Sequence, residues 1–219
     1  MAVSWIKIQP TEANSSMELP PCLSLKNGIL IDTNSPHVIC KGSGLKHAHC
    51  CHVYIPGTGS NPSERNTAMR YLSTTANDGM TTIGLSYQWG PYPDLERNAL
   101  LGELQCDTQV GLINYHRDIV FGGSSSGIVN VSLCNSIIGR LTSLISHLAE
   151  IDDEAFWSDF LDSAGSINFS KFIFSGHSQG AGHVCYLAKF YEIKRAVLMS
   201  GPQEALQSVK ISLKMLNSS

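Results

Sequence analysis

The stretch Lys171-Phe172-Ile173-Phe174-Ser175-Gly176-His177-Ser178-Gln179-Gly180-Ala181-Gly182-His183 decides how this chain reads. An apolar, β-rich run, Phe172-Ile173-Phe174, is followed within a few residues by a helical pattern. Val184, Leu187, Ala188 and Tyr191 recur at helical spacing over Gln179 to Ile193. Between them stands Gly176-x-Ser178-x-Gly180. A chain that turns from strand to helix so abruptly leaves its central residue strained. Bulky side chains two positions before and after would collide, so glycine suits both places. The turn lifts the Ser178 hydroxyl above a sheet and aims the first helical amides, that of Gln179 included, at a developing oxyanion.

Working outward, strands and helices alternate. Cys50 to Ile55 reads as a buried strand stopped by Pro56-Gly57, Ser63 to Ala76 as a helix, and Thr81 to Ser86 as a second buried strand. Ile137, Leu141, Leu144, Ile145 and Leu148 mark a helix near 132–150. Phe156 to Leu161 suggests a short amphipathic helix, and Arg195 to Ser200 a strand closed by Gly201-Pro202. The order predicts an α/β fold, a mostly parallel sheet with helices on both faces. Residues 1–27 read as a loosely ordered segment. A strand pair is expected at Ile29–Asp32 and His37–Cys40, with a turn at Asn34-Ser35-Pro36. Residues 28–204 form the core and 205–219 a tail. Periodicity fails over 87–130, which reads as an insertion.

The chain has 219 residues, of which 42% are hydrophobic and 15% charged. That excludes a disordered chain and a coiled coil. A net charge of −3 without a basic block disfavours nucleic acid as a partner. No apolar run approaches the roughly 20 residues of a membrane span. The N-terminus does not read as a secretory signal, and the seven cysteines show no disulfide framework. A cytoplasmic location is the expectation.

The pentapeptide Gly176-His177-Ser178-Gln179-Gly180 resembles the nucleophile elbow of the α/β-hydrolase superfamily. Tyr54-Ile55-Pro56-Gly57-Thr58-Gly59 is similar to its oxyanion loop, Thr82 to Tyr87 to the next strand, and Arg195 to Pro202 to the strand after the elbow helix. The resemblance covers about residues 48–204. It implies that Ser178 is the nucleophile, and that the amides of Gln179 and of Gly57 or Thr58 form an oxyanion hole. It also implies a small acyl or ester ligand and no cofactor.

The family order is nucleophile, acid, histidine. After Ser178 only His183 follows, five residues on within the elbow helix and misdirected. Glu204 is a weak candidate acid. The sheet is then expected to lack its last strands. Three explanations compete: a fragment or shortened splice product of a complete serine hydrolase, a non-catalytic ligand-binding or regulatory relative, or a base supplied from upstream. For the last, His116 in the insertion is the weak candidate. On the first reading this chain alone has little or no activity.

His47, His49 and Cys51 share a strand face, but no second ligand cluster completes a site, so no metal is expected. Ser124-Ser125-Ser126 lacks the lysine of a phosphate loop. An apolar strand at 195–200 with no following strand leaves an open sheet edge. The chain expressed alone is therefore expected to self-associate. Light scattering at micromolar concentration checks this, and a monodisperse monomer contradicts it.

Overall fold

Alternating side chains of one strand split the interior. Cys51, Val53 and Ile55 join the large apolar cluster, while Tyr54 joins a smaller one with Val38, Ala68 and Leu72. That strand, β3 (Cys51–Ile55), is buried throughout. It sits between two parallel neighbours, β4 (Thr81–Gly84) and β5 (Phe172–His177). The computed structural model describes residues 4–14, 35–41, 50–63, 68–88, 109–126, 129–151 and 157–202.

Among the described residues the sheet has six strands, in the order β1-β2-β4-β3-β5-β6. β1 (Ser4–Ile8) and β2 (His37–Lys41) are antiparallel, and β2 is antiparallel to β4. The β4–β3, β3–β5 and β5–β6 pairs are parallel, with β6 at Arg195–Met199. This is an α/β architecture with a mostly parallel sheet. The four strands read from the sequence at 50–55, 81–86, 171–175 and 195–200 lie in it side by side.

The helices are α1 (Pro10–Ala13), α2 (Ala68–Asn77), α3 (Gln109–Phe121), α4 (Ile137–Ile151) and α5 (Gln179–Phe190). In α4 the expected stripe is buried: Ile137, Leu141, Leu144, Ile145 and Leu148. Arg140 is buried among them. It donates to Asn135 Oδ1 at 2.8 Å and to Ser86 Oγ at 3.3 Å. No helix among the described residues is long and apolar enough to cross a membrane.

Two elements lie where the sequence carries no periodic signal. β1 lies within 1–27, where the sequence suggested loose order, and it pairs with β2 from Ser4↔Lys41 to Ile8↔His37. Its pattern, Ser-Trp-Ile-Lys-Ile, is half-exposed, as suits the outermost strand, and so carries little apolar signal. The second is α3, within 87–130. Its inward stripe holds Tyr115, His116 and Asp118 beside Ile119 and Val120, all buried. Polar residues in the stripe erase the helical apolar period. Asp118 folds the serine-rich run back onto α3, accepting from Ser125 N at 3.0 Å and Ser126 N at 2.7 Å. At 156–161 the structure shows a 3-10 turn, Ser158–Phe160, with Phe156 outside the described residues. Ile29–Asp32 also lies outside them.

Candidate active site

Ser178 lies between β5 and α5 with φ 53° and ψ −120°. A non-glycine residue in this region is strained by roughly 1–3 kcal/mol and persists only where its surroundings hold it. Three holds are visible. Ser178 N–H donates to Met199 O of β6 at 2.9 Å, and Ala181 N–H donates to Ser178 O at 3.0 Å. The third is close approach. A Cβ on Gly176 would stand 2.2 Å from Gly180 O, and one on Gly180 would stand 2.2 Å from Ile55 O. The glycines let β5, α5 and the end of β3 meet at backbone contact.

The loop after β3 runs beside the serine. A Cβ built on Gly57 would lie 3.2 Å from Ser178 Cβ, 3.2 Å from His177 Nδ1 and 3.1 Å from His177 O. Gly57 thus leaves room next to the hydroxyl that any side chain would fill. Among the described residues neither the Gly57 nor the Thr58 N–H enters a hydrogen bond. Thr58 Oγ1 donates to Gln179 Oε1 at 2.5 Å. Gln179 Nε2 donates to the Tyr115 hydroxyl. Tyr87 OH donates to Pro56 O at 3.0 Å. The residues read from the sequence as nucleophile and oxyanion donors, Ser178, Gln179, Gly57 and Thr58, are therefore neighbours.

No protein-family model matches the chain, and no curated protein matches it. Among solved structures it is similar to esterase B from Lactobacillus rhamnosis, in two inhibited forms, one of them with a tributyrin phosphonate. Each is 12% identical, with a TM-score of 0.37, over 90% of this chain and 46% of the other. The chain spans less than half the length of those structures.

The histidines are placed as follows. Among the described residues the Ser178 hydroxyl makes no hydrogen bond, so no described histidine is bonded to it. His116 Nδ1 lies 2.9 Å from His183 Nδ1, and both rings are buried. One Nδ1 must carry the proton and the other accept it, so the two neutral rings are different tautomers. Their rings contact Tyr87, Tyr115 and Tyr186. Burial lowers the His116 pKa to about 4. Burial, and then His116 itself, hold His183 well below its ordinary value. His116, the upstream candidate base, is thus neutral near pH 7 but engaged with His183.

His52 forms a separate pair. Its Nε2 is 2.6 Å from Ser175 Oγ, beneath Tyr71, and burial lowers its pKa to about 4. Glu204, His47 and His49 lie outside the described residues. Among the described residues no group of three His, Cys, Asp or Glu side chains is arranged to hold a metal ion. Sequence reasoning missed Tyr115 and Tyr87, which fall in the aperiodic stretch after β4.

Proposed function

We propose that Ser178 is the nucleophile of a serine hydrolase site of α/β-hydrolase type, acting on an ester or related acyl bond. The observation that carries this reading is the strained Ser178, held at a strand-to-helix turn and so near Gly57 that a Cβ there would meet its own Cβ. The side chains of β3 that alternate between two apolar clusters support a sheet covered on both faces.

In the reaction, Ser178 Oγ attacks the acyl carbon and the carbonyl oxygen becomes an oxyanion. The Gln179 amide, with that of Gly57 or Thr58, stabilises this charge. As the oxyanion collapses, the bond to the leaving alkoxide breaks, and the serine proton ends on the departing alcohol. Water then releases the acid from the acyl-enzyme and restores the hydroxyl. An unassisted serine is a weak nucleophile, and none of the described histidines is hydrogen-bonded to Ser178. Elbow and oxyanion amides without a base retain roughly 10³–10⁴-fold over water. The alternative, a ligand-binding relative without turnover, is favoured by that same unbonded hydroxyl.

The test is phosphonylation by a fluorophosphonate probe, in which Ser178 Oγ displaces fluoride from phosphorus. The 219-residue chain is expected to gain one adduct on Ser178, over hours rather than minutes, and to turn over short p-nitrophenyl esters negligibly. Ser178→Ala should abolish the adduct. A parent chain that gains none, or an adduct that survives Ser178→Ala, refutes the nucleophile assignment. Rapid labelling that depends on both Ser178 and His116 would identify an upstream base.

A further inference from the structure

We propose that Tyr115 and the Gln179 side chain are positioning residues, a latch that fixes the Pro56–Thr58 loop against the elbow and sets the oxyanion geometry from α3. The role in chemistry rests on Ser178 being the nucleophile.

Gln179 occupies two places at once. Its backbone amide opens α5 directly after Ser178. Its side chain is 5% exposed and is bonded at both ends. Oε1 accepts from Thr58 Oγ1 at 2.5 Å, and Nε2 donates to the hydroxyl of Tyr115. Tyr115 is 1% exposed and wedged edge-on against His116 and at a tilt against His183. The three residues come from the β3 loop, α3 and α5, far apart in sequence. A planar primary amide joins two hydroxyls with fixed spacing, which neither an aliphatic side chain nor a single hydroxyl reproduces. One residue thereby governs both sides of the oxyanion site: its own N–H directly, and the Gly57 and Thr58 amides through Thr58 Oγ1. Tyr87 holds the same loop two residues earlier, at Pro56 O. With the loop carbonyls and hydroxyl tied back, its N–H groups remain available to a substrate oxygen.

Oxyanion donors act only at about 2.7–3.1 Å from the developing charge, and loss of one costs roughly 10²–10³-fold. A loosened latch should therefore slow phosphonylation without unfolding the chain. Three variants carry the test: Tyr115→Phe removes one hydroxyl, Gln179→Met removes the amide at similar length, and Thr58→Val removes the other hydroxyl. Thr58→Ser restores it. Labelling of Ser178 is expected to slow by about tenfold in Tyr115→Phe and about a hundredfold in Gln179→Met. It should fall in Thr58→Val and recover in Thr58→Ser. Hydrogen exchange of the Ser60 amide, which donates to Gly57 O at 3.1 Å, should quicken in the first three variants, with urea midpoints close to the parent's.

The second readout needs no chemistry at Ser178. If the parent chain does not label, the nucleophile reading fails, and exchange alone decides the latch. Unchanged exchange of the Ser60 amide in both Tyr115→Phe and Gln179→Met overturns the latch whatever the labelling does. So does a Thr58→Ser chain that behaves as Thr58→Val.

Discussion

Moving the chain from pH 7 to pH 5 is expected to unfold it, with a dependence steeper than carboxylates alone produce. Among the described residues four histidines are buried: His37, His52, His116 and His183. Burial is the main cause of a lowered pKa in each. It brings His52 and His116 to about 4 and holds His37 and His183 well below the ordinary value. Arg140 adds to the effect at His37, and His116 adds to it at His183. In the unfolded chain all four titrate near 6.5. Below that value the unfolded state binds protons that the native state refuses. Stability is therefore fully present above about pH 6.5 and is lost as pH falls toward 4.

A shift from 6.5 to about 4 corresponds to roughly 3 kcal/mol per group once the pH reaches the native value. Near pH 5 the difference approaches four protons, a slope of about 5 kcal/mol per pH unit. Domains of this size are stable by only about 5–15 kcal/mol. Urea unfolding followed by circular dichroism at half-unit steps from pH 7.5 to 5 gives the slope directly. A stability flat across that range, or a slope worth a single proton, contradicts the burial of these rings as neutral species.

Legibility from sequence followed the physics of each element. β3 and β5 were readable as short apolar runs because both faces of each strand are largely buried, and α4 because its apolar stripe keeps the helical period. β1 was not, because an outer strand needs few apolar positions. α3 was missed for a reason tied to the site. Tyr115, His116 and Asp118 face inward, where aliphatic residues would have announced a helix, and each has a partner to meet there. The elbow itself was legible because its constraint is local. The flanking glycines and the strand-to-helix switch lie within a few residues of Ser178. The partners of Gln179 were not, since Thr58 and Tyr115 are brought to it only by the assembled sheet and α3.

The glycines of the elbow give the second large effect, and one whose sign runs against helix propensity. Gly180 is in the first turn of α5, where alanine intrinsically favours a helix over glycine by about 1 kcal/mol. Gly180→Ala is nonetheless expected to destabilise the chain by about 3 kcal/mol or more. Its Cβ would stand 2.2 Å from Ile55 O and 2.6 Å from Pro56 O, both backbone atoms. Neither moves without dragging the end of β3, which is in register with Gly176 through Ile55. Gly176→Ala meets the other side of the same contact, at 2.2 Å from Gly180 O and 2.6 Å from Ala181 N. Relief requires α5 to withdraw from β5, which carries Ser178 off the turn that strains it. Both variants should therefore lose phosphonate labelling together with stability. Gly165→Ala is the control: its φ is +76° but no atom lies within 4 Å of the added carbon. It should cost only the left-handed penalty, about 1–2 kcal/mol, and leave labelling unchanged. Urea midpoints at pH 7.5 rank the three. A Gly180→Ala chain at least as stable as the parent would mean that α5 does not meet the β3 loop at backbone contact, and the proposed oxyanion site built on that contact would fall with it.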